Sequence, residues 1–140
     1  MVYSARTGDY KFPGGGVNSG ETGEQALVRE VREECGATVS LIQKAFGKVV
    51  EYDVARESEY DLFIMTSLYY VCQIDDALGE QQLEQYEEEL GFKPVWVNID
   101  EAIRGNQLAL HNGAYELPRW IERETFMLAK IKERLLPLHC

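Results

Sequence analysis

The chain has 140 residues, 45% of them hydrophobic, which is the size and apolar content of one domain with a real core. Its net charge is −10 at pH 7 with no basic stripe, and this excludes bulk nucleic-acid binding through phosphate neutralisation. The longest apolar run, Leu62–Ile74, is interrupted by Thr66, Ser67 and Gln73 and is too short for a bilayer span, while Cys35, Cys72 and Cys140 form no disulfide framework and no CxxC zinc pattern. Reduced thiols in a cytoplasmic protein are therefore expected.

In chain order, Val2–Arg6 reads as the end of a strand, Thr7-Gly8-Asp9 as a turn, and Tyr10-Lys11-Phe12 as a short strand leading into Pro13 and three glycines. Thr22 followed by Gln25 is a capping box, so a helix starts near Gly23, and Gly36 is a natural residue to end it. Leu27, Val31 and Cys35 recur every four residues as an apolar stripe. Thr38–Tyr52 reads as one or two strands broken near Gly47, Asp53–Glu59 as a polar loop, and Tyr60–Ile74 as the strongest β segment. Asp75–Gly91 is an acidic loop with room for a helical turn. Phe92–Asn98 is a strand with Pro94 at its start or on an edge. Asp100 caps a short helix to Arg104, Gly105–Tyr115 is a loop, and Pro118–Leu136 is an amphipathic helix packing through Trp120, Ile121, Phe126, Leu128 and Ile131. Cys72 and Trp96 are assigned to the core, and neither His111 nor His139 has the spacing of a ligand.

The helix from Gly23 breaks local rules. Glu30, Glu33 and Glu34 stand at i, i+3 and i+4, so like charges share a face. Two of them lie in the last turn, where the helix dipole favours cations. Solvent tolerates such repulsion at about 0.2–0.5 kcal/mol per pair, so a solvated acidic face is the bland reading. A glycine-rich loop placed just ahead favours a cation site instead, because clustered carboxylates suit hard, oxygen-seeking ions such as Mg²⁺, with Mn²⁺ able to use the same ligands.

Gly15, Glu21, Arg29, Glu30, Glu33, Glu34 and Gly36 fall in the pattern G-x5-E-x7-R-E-x-x-E-E-x-G. The stretch Gly15–Ala37 resembles the signature box of the Nudix hydrolases, which cleave nucleoside diphosphates linked to another group. The one departure is Ala37, where the family prefers a larger aliphatic residue. The resemblance implies a single Nudix domain over residues 1–140, an α/β/α sandwich with a mixed sheet. It also implies one more strand ahead of this point, so the N-terminal strand or strands are missing or shortened, and the sheet edge thereby exposed suggests a homodimer.

The resemblance further implies attack by water on a pyrophosphate link. Glu33 and Glu34 would bind metal, and Glu30 would bind metal or position the water. A main-chain carbonyl near Gly14 or Gly15 would join the shell. Arg29 would orient a neighbouring carboxylate, Glu21 foremost, through its planar fork, against the alternative of a plain surface ion pair. A further glutamate from a later loop is expected among Glu84, Glu87, Glu88 and Glu89, with Glu89 favoured. Gly15 and Gly16 let backbone approach the substrate. Arg6, Lys11 and Lys48 are the candidate phosphate contacts. Tyr52 leads the aromatics able to stack on a base, with Tyr10, Phe12, Tyr69 and Tyr70 behind it. Tyr52 stands where ADP-ribose-type members carry proline, and the SQPWPFPxS stretch of NADH-type members is absent. A nucleoside triphosphate or nucleotide sugar is favoured. A dinucleoside polyphosphate is the alternative substrate, and a nucleotide-binding regulatory module is the alternative of another class. No D-x-D-x-D-G calcium loop occurs.

Overall fold

A computed structural model of the protein describes residues 1–113 and 117–136. The elements are β1 (Val2–Ser4), β2 (Tyr10–Lys11), α1 (Gly23–Cys35), β3 (Val39–Val54), β4 (Leu62–Ile74), α2 (Gln85–Leu90), β5 (Phe92–Pro94), α3 (Ile99–Asn112) and α4 (Trp120–Leu135). The α/β class is as expected. Every strand pairing among the described residues is antiparallel where a mixed sheet was expected; a short turn joins β1 to β2 and a hairpin joins β3 to β4, while β5 pairs with β1 from far along the chain. The chain divides into two compact units, Met1–Thr38 with Ala77–Cys140, and Val39–Asp76. Among the described residues no helix is long and apolar enough to cross a membrane. The readings at Tyr115, His139 and Cys140 lie outside the described residues.

The first unit is built on a sheet in the order β2-β1-β5. Its middle strand carries Val2 fully buried, pairing with Lys11 on one side and Pro94 on the other. Two buried side chains from the helices cover the outer edge of β2. Asn106 of α3 accepts from the Tyr10 N–H at 2.7 Å and donates to the Tyr10 carbonyl at 3.0 Å, mimicking a neighbouring strand. Glu124 of α4 accepts from the Phe12 N–H at 2.6 Å. Backbone groups that a sheet edge would leave open are thus satisfied from within the chain. Below them, the fully buried Asp9 accepts from the Trp120 indole at 2.9 Å and from the Thr7 hydroxyl.

Helix α3 is longer than its sequence suggests. Its cap is Asn98, whose side chain accepts from the Asp100 N–H at 2.9 Å, and it runs through Gly105 to Asn112. Glycine is tolerated mid-helix because of packing. A Cβ at 105 would lie 2.7 Å from the Tyr10 ring, so only glycine lets α3 close on β2. In α4 the buried face is Ile121, Glu124, Met127 and Leu128, while Phe126 is exposed. Strand β5 ends at Pro94, two residues before an 84%-exposed Trp96 that was expected in the core.

The second unit is the β3–β4 hairpin. The break expected at Gly47 is a set of register shifts, the last between Ala45 and Gly47, and pairing continues to Val54↔Leu62. Its far half presents Val50, Tyr52, Val54, Leu62, Ile64 and Leu68 exposed, and the Tyr52↔Ile64 and Val54↔Leu62 pairs put them on one face. Cys72 is half-buried in β4 rather than in a core.

The C-terminal end of α1 is tied down by the segment ahead of α2. Gly36 adopts φ +64° as the cap, and its carbonyl accepts from the Gly79 N–H at 2.6 Å. The Glu33 carbonyl accepts from the Gln82 N–H at 2.7 Å, and the Glu34 carbonyl from the Gln81 amide at 2.6 Å. With the Arg32 carbonyl taken by the Gly36 N–H, three of the last four carbonyls of the helix have partners. A Cβ on Gly36 would collide with the Gly79 carbonyl oxygen in addition to straining a left-handed residue. Gly36→Ala should cost about 2–5 kcal/mol, the sum of left-handed strain and overpacking against backbone. Urea unfolding measures it, and a loss under about 1 kcal/mol would show that the 79–82 segment yields freely.

Candidate active site

Strand β2 delivers the chain into the loop at Pro13–Gly16, and α1 follows once Thr22 caps it. The Thr22 hydroxyl accepts from the Gln25 N–H at 3.1 Å, and the Gln25 side chain accepts from the Thr22 N–H at 2.9 Å, completing the expected box. Nearly two turns in, Arg29 gathers the site. Its Nε and Nη2 donate to the two oxygens of Glu21 at 2.8 and 3.1 Å, a bidentate pair. Nη2 also reaches the Gly16 carbonyl at 2.9 Å. Nη1 donates to Glu30 Oε1 at 2.6 Å and to Glu33 Oε2 at 3.0 Å. One guanidinium thus fixes the loop, its glutamate and two carboxylates of the helix. The Arg29 hydrogen bond holds the Glu21 carboxyl below the usual carboxylate range, and the pairing raises the Arg29 pKa further.

Glu30 lies against the loop. A Cβ on Gly15 would come within 2.5 Å of Glu30 Oε1, so a side chain there would push that carboxylate from its present seat. Glu33 is half-exposed beside it. Glu34 lies at the inner border of the same helix arc and turns into the core. It is 1% exposed, and its carboxylate accepts from Lys11 Nζ at 2.5 Å and from the Gly14 N–H at 2.9 Å. Burial pushes the Glu34 carboxyl up to about 7, against the pull of Lys11 and of the Gly14 N–H.

The other expected contact residues have these surroundings. Lys11 is buried and engaged with Glu34 and the Gly14 carbonyl, so it does not project towards a phosphate. Arg6 is exposed on the turn after β1, where its N–H meets the Leu90 carbonyl at 3.1 Å. Tyr52 belongs to the hairpin unit and is 70% exposed. Glu89 is exposed on α2 and accepts from the Gln85 side chain at 3.0 Å. The inward glutamate of that helix is Glu87, which is buried. It accepts from the Tyr86 hydroxyl at 3.0 Å and from the Glu84 N–H at 2.8 Å, and its charge adds to the upward push on Glu34. The E-x-x-E spacing of Glu84 and Glu87 was the available signal, since it matches a capping box. Asn106 and Glu124 were missed. Glu124 falls at i+3 from Ile121 and i−4 from Leu128, a carboxylate set in an apolar stripe, which is the trace it leaves in sequence.

The NUDIX domain family model matches residues 3–121, and so runs through both units. This chain belongs to the Nudix family. A relative is the RNA pyrophosphohydrolase of Sulfurovum sp. (strain NBC37-1), 34% identical over 70 residues, a match covering 48% of this chain and 45% of the relative. The chain thus matches less than half the length of that curated relative. No solved structure matches it significantly.

Nudix hydrolases generally use divalent metal ions, and the donor chemistry here suits one. Glu30 and Glu33 converge on a single Arg29 nitrogen, which marks a place where two carboxylates already share a positive charge. Among the described residues no three acidic, histidine or cysteine side chains converge in this way, because the third box carboxylate, Glu34, is turned to Lys11.

Proposed function

We propose that this Nudix domain is a divalent-metal-dependent hydrolase of the pyrophosphate bond in a nucleoside diphosphate linked to another moiety, with a nucleoside triphosphate or nucleotide sugar as substrate. The observation that carries this reading is the guanidinium of Arg29 holding Glu30 and Glu33 beside the exposed glycine loop. Water attacks one phosphorus, the bridging P–O bond breaks, and two phosphoryl products leave. A bound Mg²⁺ or Mn²⁺ supplies charge neutralisation for the phosphates. Glu30, Glu33 and Glu34, with a loop carbonyl at Gly14 or Gly15, are the residues that would hold it. Glu30 takes the proton from the attacking water or positions that water. Gly15 and Gly16 admit the phosphates close to backbone. Among the downstream glutamates, the buried Glu87 joins the exposed Glu89 as a candidate to assist.

A second substrate reading, the 5′-terminal phosphates of an RNA, follows from the name of the relative from Sulfurovum. The net charge of −10 disfavours a long polyanion and restricts this reading to contacts at the chain end.

Both are tested by product release from a panel of nucleoside triphosphates, nucleotide sugars, dinucleoside polyphosphates and 5′-triphosphorylated RNA, with Mg²⁺, with Mn²⁺ and with excess chelator. Turnover is expected only with metal. Metal should also raise the melting temperature, since binding to the native state alone stabilises by about 2.7 kcal/mol at 100 times Kd. Full turnover in chelator would overturn the cation site. Tight nucleotide binding with no turnover on any substrate would favour a regulatory module.

A further inference from the structure

The β3–β4 hairpin is a two-stranded sheet of its own, and such a ribbon is marginal in water unless a hydrophobic face is covered. Side chains alternate along a strand and opposed residues share a side, so the register separates its two faces. Val50, Tyr52 and Val54 of β3 share one face with Leu62, Ile64 and Leu68 of β4, through the pairs Lys48↔Leu68, Val50↔Thr66, Tyr52↔Ile64 and Val54↔Leu62. Glu51 and Asp53 fall on the opposite face. The six apolar residues run from 39% exposed at Val50 to 72% at Val54. Together they offer roughly 600–700 Å² of accessible surface, above the roughly 300–600 Å² of the largest patch on an ordinary monomer and close to the roughly 800 Å² per partner of a standard interface.

The charges at the two ends of this face decide what fits it. Lys48 stands exposed at the end nearer Gly47. At the other end the tip carries Glu57, Glu59 and Asp61 against Arg56 alone, all exposed. The face is thus basic at one end, apolar in the middle and acidic at the other. A twofold axis near the Val50↔Thr66 and Tyr52↔Ile64 pairs would lay an identical face on it, strands antiparallel, with each Lys48 towards the acidic tip of the other copy. Lys48 to Val54 spans about 20 Å of strand, so both ends and the apolar middle would be engaged together. A parallel arrangement would set acidic tip on acidic tip. An anionic lipid surface is disfavoured by the same tip and by the net charge of −10.

We infer that this face is the interface of a homodimer, two hairpins packed face to face with their strands antiparallel. The inference is independent of the hydrolase reading. It also moves the dimer expected from an open strand edge, since Asn106 and Glu124 cover the outer edge of β2. The hairpin face takes its place as the joining surface.

The test is sedimentation velocity at micromolar concentration on wild type, Ile64→Lys and Leu108→Lys, the last an exposed apolar position on α3 as control. Wild type and Leu108→Lys should sediment as dimers. Ile64→Lys sets two like charges against each other beside the axis, so its affinity should fall 100-fold or more and leave a monomer. Lys48→Glu should weaken the dimer about tenfold, and adding Glu57→Lys with Glu59→Lys should recover it. This charge exchange decides the matter even where Ile64→Lys does not fold. Thr66→Cys, near the axis, should cross-link to itself through a bismaleimide whose span matches the ~10 Å between packed sheets, above the background that the native cysteines give in wild type. Ser58→Cys at the tip should not.

A monomeric wild type would overturn the inference, as would a dimer that Ile64→Lys leaves intact. Cross-linking through Ser58→Cys in preference to Thr66→Cys would overturn the antiparallel arrangement. A monomer that sediments with neutral phosphatidylcholine vesicles would assign the face to lipid in place of a second copy.

Discussion

Glu30→Gln is expected to lower kcat by about 10²–10⁴-fold, the range for loss of a general base, which corresponds to roughly 3–5 kcal/mol in the barrier. The substitution keeps size and helix propensity and leaves an acceptor oxygen for Arg29 Nη1, which now lies 2.6 Å from Glu30 Oε1. It also keeps the close seat against Gly15. The anion is what disappears. If Glu30 acts in the transition state, kcat should fall far more than KM rises. Stability should change little or rise, since one of the repelling charges on α1 is removed. Steady-state kinetics on the best substrate of the panel, beside a urea melt, separate the outcomes. Near-native kcat would make Glu30 ordinary helix surface and move the search for the base to Glu87. Failure to fold would make it a structural partner of Arg29.

The parts of the fold that could be read from sequence are those set by local chemistry. The capping box at Thr22 and Gln25 and the left-handed Gly36 fixed both ends of α1, because a cap needs only residues three or four apart. The Arg29–Glu21 fork was anticipated through the resemblance of the box alone, since Glu30 and Glu33 stand nearer to Arg29 in sequence. What could not be read depended on distant packing. Gly105 looked like a helix stop and is a contact with Tyr10. Lys11 was read as a candidate phosphate contact because nothing local shows that Phe92, Trp120 and Glu34 surround it. The helical periodicity of Glu30, Glu33 and Glu34 was right, yet an arc of helix surface is wide enough for its two borders to meet different surroundings. Glu33 borders solvent and Glu34 borders the core. The same holds on α2, where adjacent carboxylates diverge and Glu87 alone turns inward.

Arg29→Lys carries the other large expected effect, and it separates an organising guanidinium from a plain ion pair. An isolated exposed pair contributes about 0–1 kcal/mol, and Lys for Arg at such a place would leave activity untouched. Arg29 makes five hydrogen bonds to four different residues, Glu21, Gly16, Glu30 and Glu33. An ammonium keeps the charge but has three donors on one atom, and cannot reproduce a fork that spans the loop and one turn of helix. Charge neutralisation therefore survives while orientation is lost. Partners that orient metal-holding carboxylates are worth about 10–100-fold in metal affinity or activity. Arg29→Lys should show that loss in Mn²⁺ affinity and kcat/KM, with only a small fall in melting temperature because the side chain is partly exposed. Unchanged kinetics would reduce Arg29 to a surface ion pair. A fall in melting temperature as large as that expected for Gly36→Ala would show that the guanidinium supports the helix more than the site.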